Sequence, residues 1–285
     1  MLTAVADEHI VAATAATISF QVVDQHGDAA EPGGAVTVDV VGSDGTAIAT
    51  DAATTGTGTD PRQYALTRAN TATVDQLTAT WSLGGVVLGE TTIDIIAKPL
   101  ITKADFIARE PTRADVDNEA FRTTRREVTD LLYRECKRAF VPRFSVERIY
   151  VDGWSDTLVL RYPNLRRVAW ATDEDGNAIT VTTVEPNDVG MAVLRSTYWP
   201  CGWITIGYEH GYDSVPEDLR AAVAKHIAAD VNDGHSSLPS RASSTTTPFG
   251  TTSFVPIAGY GQAITGIPKV DEAYNAHRWD VPGVA

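Results

Sequence analysis

Hydrophobic and polar residues alternate in short runs through the first 98 residues of the chain. The runs "ATISFQVVD" and "AVTVDVVG" place apolar residues at every second position, the period of a strand buried on one face. Gly, Asp and Pro clusters separate such runs, and Asp44-Gly45 is a hairpin signal. About seven short strands in so short a segment are typical of an immunoglobulin-like β-sandwich. We therefore predict such a domain at residues 1–98, although the Cys…Trp…Cys spacing of antibody domains is absent.

The hydrophobic period changes after the short linker Lys98-Pro99. In "ITKADFIARE", Thr102 and Asp105 have the spacing of a capping box, which predicts a short helix that ends before Pro111. Apolar residues then recur at intervals of three and four through residues 115–140, as on one face of a long helix. Acids at its start and bases at its end suit the helix dipole, and Pro142 ends it.

Residues 145–210 return to strand-like runs and predict a compact β insertion. In the next segment, Ser214 is a candidate N-cap and Pro216 suits the first helical turn. Apolar residues at four-residue steps predict an amphipathic helix over residues 215–233. Together these elements predict an α+β domain at residues 99–235, built of long helices with a β insertion.

The last segment, residues 236–285, begins with a tract rich in Ser, Thr, Pro and Gly. We predict an extended arm, because polar tethers of this composition wrap partners and become ordered on binding. A disordered tail without function is the alternative, but apolar residues are dense after Gly259. The candidate partner-binding residues are Ile264, Ile267, Pro268, Val270, Tyr274 and Trp279.

The formal net charge of the 285 residues is −14, and its distribution is uneven. Residues 99–148 carry an excess of bases, whereas the segments on both sides are acidic. This balance argues against general binding to the phosphate backbone of nucleic acids. Cys136 and Cys201 share no metal-binding spacing, and buried free thiols are expected rather than a disulfide. No run approaches the ~18 apolar residues of a membrane span, and no signal peptide is recognisable.

No catalytic motif is recognisable, so we expect neither an enzyme nor a cofactor or metal site. The segment "DEDGN" has the composition of a hairpin turn rather than of a calcium loop. The aromatic residues in "YWPCGWITIGYEHGY" could form a platform for sugars. Their alternation along a strand favours core and turn packing instead.

Two longer runs carry a family resemblance. The run "YEHGYDSVPEDLRAA" stands at residues 208–222, and "TGIPKVDEAYNAHRW" stands at residues 265–279. In their order and spacing, they make residues 100–280 resemble the head–tail connector, or adaptor, proteins of long-tailed bacteriophages. Residues 1–98 lie outside the resemblance.

The resemblance implies a structural virion protein at the neck, assembled in the host cytoplasm. Such adaptors form a homo-oligomeric ring, usually of twelve copies, between the portal protein and the next neck or tail-completion protein. Double-stranded DNA passes transiently through the channel that the ring extends. The alternative is another phage surface or decoration protein whose immunoglobulin-like domain binds carbohydrate.

Six basic residues lie on the long predicted helix. We expect them to contact neighbouring subunits, since acids stand among them and an acidic channel would let DNA slide. In the alternative reading, they face the channel and touch the genome. The residues are Arg122, Arg125, Arg126, Arg134, Lys137 and Arg138.

Overall fold

The computed structural model describes residues 8–152, 157–181, 191–193, 199–233, 244–247, 250–253 and 264–279. The fold is mixed α/β, with strand residues (36%) outnumbering helical ones (24%). Two compact units are present: one combines residues 1–99 with 141–213, and the other combines 100–140 with 214–285. The β insertion thus belongs to the same unit as the N-terminal strands. The sequence-based boundaries at residues 98 and 235 separate domains that are expected to fold independently. Independent folding of these domains stays a prediction.

Seven strands form the N-terminal part of the first unit. Their bounds are β1 Glu8–Val11, β2 Ala16–Phe20, β3 Val36–Val41, β4 Ala47–Ala53, β5 Arg62–Leu66, β6 Asp75–Leu83 and β7 Val86–Ile96. Five of them make one sheet in the order β1-β7-β6-β3-β4, and β2 pairs with β5 in a second sheet. The alternating residues predicted to be apolar and inward, such as Val38 and Ile18, are fully buried in a core that both sheets share.

An aromatic stack joins the two sheets at the centre of this core. The rings of Phe20 on β2 and Trp81 on β6 are 5.4 Å apart and nearly parallel. The Trp81 indole N–H donates to the Thr91 hydroxyl at 3.1 Å, so its one polar atom is satisfied in a buried place. Residues 1–98 contain no cysteine, so packing contacts such as this pair hold the layers together.

Within its described residues, the insertion adds five strands to the same unit. Their bounds are β8 Arg143–Val151, β9 Thr157–Val159, β10 Leu165–Thr172, β11 Met191–Val193 and β12 Gly202–His210. A three-stranded sheet has the order β10-β12-β8, and β9 pairs with β11. The two aromatic residues Trp199 and Tyr208 are buried in the core of this insertion, as their alternation predicted.

Specific contacts attach the insertion to the N-terminal sheets. Arg143 at the start of β8 forms an ion pair with Asp94 on β7. Trp170 on β10 donates its indole N–H to the Ser43 hydroxyl at 3.2 Å. The Trp170 ring lies directly over Gly207, where a Cβ atom would come within 2.4 Å of the ring. Only glycine leaves room for the ring in this position.

The second unit contains the helices. Their bounds are α1 Lys103–Arg109, a 3-10 turn at Pro111–Arg113, α2 Asn118–Cys136, α3 Glu217–Asp233 and α4 Pro268–Ala276. Two further strands, β13 Ser244–Thr247 and β14 Gly250–Ser253, pair with each other. The capping box of α1 is confirmed, with Thr102 and Asp105 bonding reciprocally.

The long helices are shorter than predicted because local groups end them. The Asp117 carboxylate caps α2 by accepting from the N–H groups of Glu119 and Ala120, so the helix begins at Asn118 rather than at residue 115. At the other end, Lys137 has a left-handed backbone with φ of 54° and ends the helix before Phe140. Helix α3 begins at Glu217, so Ser214 is not its N-cap.

Burial of the predicted helical face is largely as expected. Leu132, Leu219, Val223 and Ile227 are fully buried, but Leu131 is only half-buried. Cys136 is a buried free thiol, whereas Cys201 is exposed, contrary to the prediction for the second cysteine.

The prediction of an extended arm is wrong for residues 268–276, which form helix α4. Proline is well suited to the first turn of a helix, because its fixed φ is helical and its missing N–H is not needed there. Val270 and Tyr274 are four residues apart and therefore share one face of that helix. Both are fully buried within the helical unit.

Candidate functional site

The start of α4 is organised by one carboxylate. Asp271 accepts hydrogen bonds from the backbone N–H and the hydroxyl of Thr265, both at 2.8 Å, and from the N–H of Gly266 at 3.2 Å. Gly266 has a φ of +77°, a conformation that other residues rarely adopt. Pro268 then occupies the first helical turn. The run "TGIPKVD" therefore encodes a tight turn followed by a helix start.

Tyr274 anchors α4 to the other helices. Its hydroxyl lies 3.0 Å from Nδ1 of His226 on α3, and its carbonyl oxygen accepts from the Cys136 thiol at 3.3 Å. Burial lowers the pKa of His226, so the ring is neutral at neutral pH and can accept the hydroxyl proton in a hydrogen bond. Burial also raises the pKa of Cys136 to about 12. The thiol under α4 is therefore both covered and protonated.

The residues that follow α4 extend this attachment. The N–H of Trp279 donates to the Cys136 carbonyl at 2.8 Å, and the Arg138 guanidinium lies 5.3 Å from the centre of the Trp279 ring. Nε2 of His277 lies 2.9 Å from the Asp218 carboxylate near the start of α3. Hydrogen bonding to His277 lowers the pKa of Asp218. Residues 274–279 are thus held by α2, by α3 and by Arg138, two residues after the end of α2.

The six predicted partner-binding residues divide into two groups. Val270 and Tyr274 belong to the core of the helical unit. The others are half-buried, or exposed in the case of Pro268, and keep surface that another protein could contact: Ile264, Ile267, Pro268 and Trp279. Docking of this second group on a partner stays a prediction.

The six basic residues of the α2 region have different surroundings. Arg125 is half-buried, with its guanidinium 5.5 Å from the centre of the Phe121 ring and donating to the Ile101 carbonyl at 3.3 Å. Burial, with a smaller contribution from Arg122, lowers the pKa of Arg125. Arg138 packs on Trp279 as described. These two arginines stabilise the helical unit itself.

The remaining bases stand among acids or at the surface. Arg122 pairs with Glu119 at 3.3 Å and Arg134 with Glu135 at 3.4 Å, both at exposed positions. Lys137 is exposed and Arg126 is half-buried. Exposed pairs of this kind contribute little to stability. They leave charged side chains available to another surface.

A Ser–His pair in the insertion has the spacing of a catalytic dyad but not its chemistry. The Ser145 hydroxyl lies 2.9 Å from Nε2 of His210, whose ring stacks on Tyr162 with a centroid distance of 4.6 Å. Burial lowers the pKa of His210 to about 3, and nearby Arg143 contributes to this shift. A base of that pKa does not take a proton from serine at neutral pH. The pair is a packed element of the core.

The sheet of the insertion carries an aromatic surface, so the prediction of core and turn packing for its aromatic residues is wrong for Trp203. Tyr150 on β8 and Trp203 on β12 are 60% and 42% exposed, and their rings meet edge to face at 5.5 Å. The Arg148 guanidinium lies 4.9 Å from the centre of the Trp203 ring. Trp203 and the buried Tyr208 are five residues apart on β12, an odd spacing that places them on opposite faces of the strand. Only the pairing of β8 with β12 brings Tyr150 and Arg148 beside it.

Two kinds of feature are absent from the described part of the chain. No cluster of three or more His, Cys, Asp or Glu side chains is placed to hold a metal ion there. Among the helices with described residues, none has the length and apolar character needed to cross a membrane.

Similar solved structures come from gene transfer agent particles. A chain from the "Neck of native GTA particle computed with C12 symmetry" is 15% identical, with a TM-score of 0.40 over 61% of this chain and 92% of that one. A chain from the "Virion of native gene transfer agent (GTA) particle" is 18% identical, with a TM-score of 0.41 over 62% and 89%. No protein-family model and no curated protein matches this chain. Similarities of this degree assign no function by themselves.

Proposed function

We propose that this chain is a structural subunit of the neck of a phage-like particle. In this role it forms a ring, of twelve copies by the family resemblance, between the portal and the next neck protein. DNA passes through the channel of the ring. The observation that carries the proposal is the contact between the two runs on which the resemblance rests. Asp218 in the first run and His277 in the second are 2.9 Å apart.

The two runs have matched structural roles. The first ends β12 and begins α3, and the second forms α4 with its preceding turn. Two side-chain contacts near the C-terminal end of α4 join it to α3: Tyr274 with His226, and His277, the residue after α4, with Asp218. Residues that have to pack together are expected to recur together in a family. The α3 part of the first run and the second run therefore pack together in the helical unit, so the resemblance does not rest on two unrelated short matches.

The strand order of the N-terminal part supports an immunoglobulin-like domain. Labelled A′ to G in chain order, its sheets are A′-G-F-C-C′ and B-E, and the first contains the G-F-C-C′ order of variable-type domains. The Phe20–Trp81 stack joins strands B and F, which a disulfide joins in antibody domains. We place this domain on the outer rim of the ring, because twelve such domains would crowd a narrow channel.

The exposed bases of α2 suit contacts between subunits. Arg122, Arg134 and Lys137 are accessible, while the carboxylates among them reduce attraction for a phosphate backbone. Filter binding of duplex DNA at low salt tests the alternative. DNA binding that is lost in the Arg122→Glu and Arg134→Glu variants would make α2 a DNA-contacting element.

Electron microscopy of particles tests the proposed function. Preparations made without this chain should contain capsids that lack tails. In complete particles, a gold label on the chain should mark the portal vertex. A label spread over the capsid or along the tail would instead support the decoration protein. Tailed, intact particles in the absence of the chain would refute the neck role.

A further inference from the structure

The hairpin of β13 and β14 is a sheet of only two strands in the described part of the chain. Among the strands with described residues, these two pair only with each other, through four residues each. A two-stranded hairpin by itself is at best marginally stable in water. Apart from Gly250, its residues are all Ser or Thr, and Thr has a high propensity for strands. Such a hairpin is expected to gain stability by pairing with a third strand.

A suitable edge is present on the sheet of the insertion. Strand β8 pairs with β12 over all nine residues without a register shift, and no strand in the described part of the chain pairs along its other edge. The outer strands β4 and β10 meet their neighbours through register shifts, which protect an edge from further pairing, and the regular outer strands β1, β2 and β5 have only four or five residues each. Strand β8 has no such shift; its first residue is held by Asp94 on β7, and the rest of its long edge is regular, as at sites of strand addition.

The surface beside this edge has the composition of a binding hot spot. Tyr150 and Arg148 on β8 lie next to Trp203 on β12, and these are the three residue types enriched where protein interfaces are strongest. Val146 on the same strand is 38% exposed. The hairpin has no charged residue that would be buried unpaired against this surface.

We propose that the β13–β14 hairpin of one copy adds to the edge of β8 in a neighbouring copy. Backbone hydrogen bonds would extend the β10-β12-β8 sheet, as in recognition by strand addition. The contact joins two different surfaces of the chain, so it repeats around a ring, whereas β8 pairing with β8 would close as a dimer. Residues 234–243 separate α3 from β13, and ten residues of chain span at most about 35 Å. The inference rests on the proposed ring.

Cross-linking of two differently marked copies tests the pairing. Both full-length chains carry Cys201→Ser; one also carries Val146→Cys, and the other carries Thr245→Cys or Thr246→Cys, adjacent residues on opposite faces of a strand. After mixing and treatment with a short bis-maleimide, we expect a cross-linked heterodimer. The control chain has Ala169→Cys, an exposed position on β10 at the opposite edge of the same sheet, and should give none.

A second pair of variants tests the hairpin itself. Thr251→Pro removes a backbone donor from β14 and should abolish the cross-link, while Thr251→Val keeps the strand propensity and should preserve it. The pairing is wrong if the cross-link forms as readily as with the Ala169→Cys control, or if it survives Thr251→Pro. It is also wrong if a single chain that carries both Val146→Cys and Thr245→Cys cross-links internally while the mixed chains do not cross-link. A protein that stays monomeric and forms no cross-link overturns the pairing as well. The neck location, judged on particles, is unaffected by these outcomes.

Discussion

Removal of the Tyr274 side chain should release α4 from the helices beneath it. The ring is 1% exposed, and replacing a buried aromatic residue by alanine costs about 3–5 kcal/mol. Helix α4 has nine residues, too few to be stable without its packing. We therefore expect Tyr274→Ala to raise the population of the form with α4 detached, rather than to unfold the β unit. At ~1.4 kcal/mol for each tenfold, that population should rise about 10²- to 10⁴-fold.

The thiol of Cys136 offers a direct assay of this release. It is fully buried, donates to the Tyr274 carbonyl, and has a pKa raised by burial to about 12, so it cannot react while α4 is docked. In a Cys201→Ser background, the rate of reaction with a disulfide reagent follows the detached population when closing is fast. Tyr274→Phe keeps the ring and loses only the bond to His226, so about 1 kcal/mol and about a fivefold faster reaction are expected.

An exposed tyrosine provides the matched control. Tyr150→Ala deletes the same atoms at a position that is 60% exposed and belongs to the other unit, and it should leave Cys136 labelling unchanged. Equal labelling rates in Tyr274→Ala and the unmodified chain would refute the conclusion that α4 covers Cys136. The anchors of the C-terminal segment would then be free for a partner, as the sequence first indicated.

Three further predictions probe the two units. Leu132→Ala in the core of α2 should lower the free energy of unfolding, measured with urea, by about 2–5 kcal/mol, while Leu131→Ala should cost clearly less; equal losses would mean that the helix register is wrong. Gly207→Ala should displace the Trp170 ring and lower stability by about 1–3 kcal/mol, seen also as a changed tryptophan spectrum; an unchanged spectrum would contradict the contact. Burial lowers the pKa of His210 to about 3, so as the pH falls the unfolded chain binds the histidine proton before the folded chain does. Below about pH 6.5, the free energy of unfolding should therefore fall by up to ~1.4 kcal/mol per pH unit. His210→Gln should reduce this slope when unfolding is measured at several pH values.

Local sequence signals predicted the elements of this fold well. Period-two runs identified strands whose inward residues, such as Ile18 and Val38, are fully buried. The capping box at Thr102 predicted the start of α1 correctly. The exact ends of α2 were missed, because Asp117 and the left-handed Lys137 set them, and neither is visible in the hydrophobic period. Local signals such as caps can thus be recognised in the sequence. The sequence does not show where such a signal ends a helix before its apolar pattern ends.

Contacts between distant segments were beyond the sequence. The ion pair of Arg143 with Asp94 and the bond from Trp170 to Ser43 join segments that are 49 and 127 residues apart. Gly207 reads as an ordinary strand glycine until the Trp170 ring is seen lying over it. The association of the insertion with the N-terminal sheets depends on such pairs. A linker signal such as Lys98-Pro99 marks a change of element and says nothing about which elements later pack together.

The C-terminal segment shows why apolar residues on a polar tether are ambiguous. A tyrosine that must leave water is satisfied equally by a partner or by a groove in its own chain, and burial energy does not distinguish them. The polar residues around it do distinguish them. Thr265, Gly266 and Asp271 build a turn that sets the direction of α4, and His226 meets the one hydroxyl that α4 buries. A partner-binding arm needs no such preformed turn. The turn residues in "TGIPKVD" were therefore the sequence evidence for a helix that packs against its own chain. Surface for contact with a neighbour remains at Ile264, Ile267, Pro268 and Trp279.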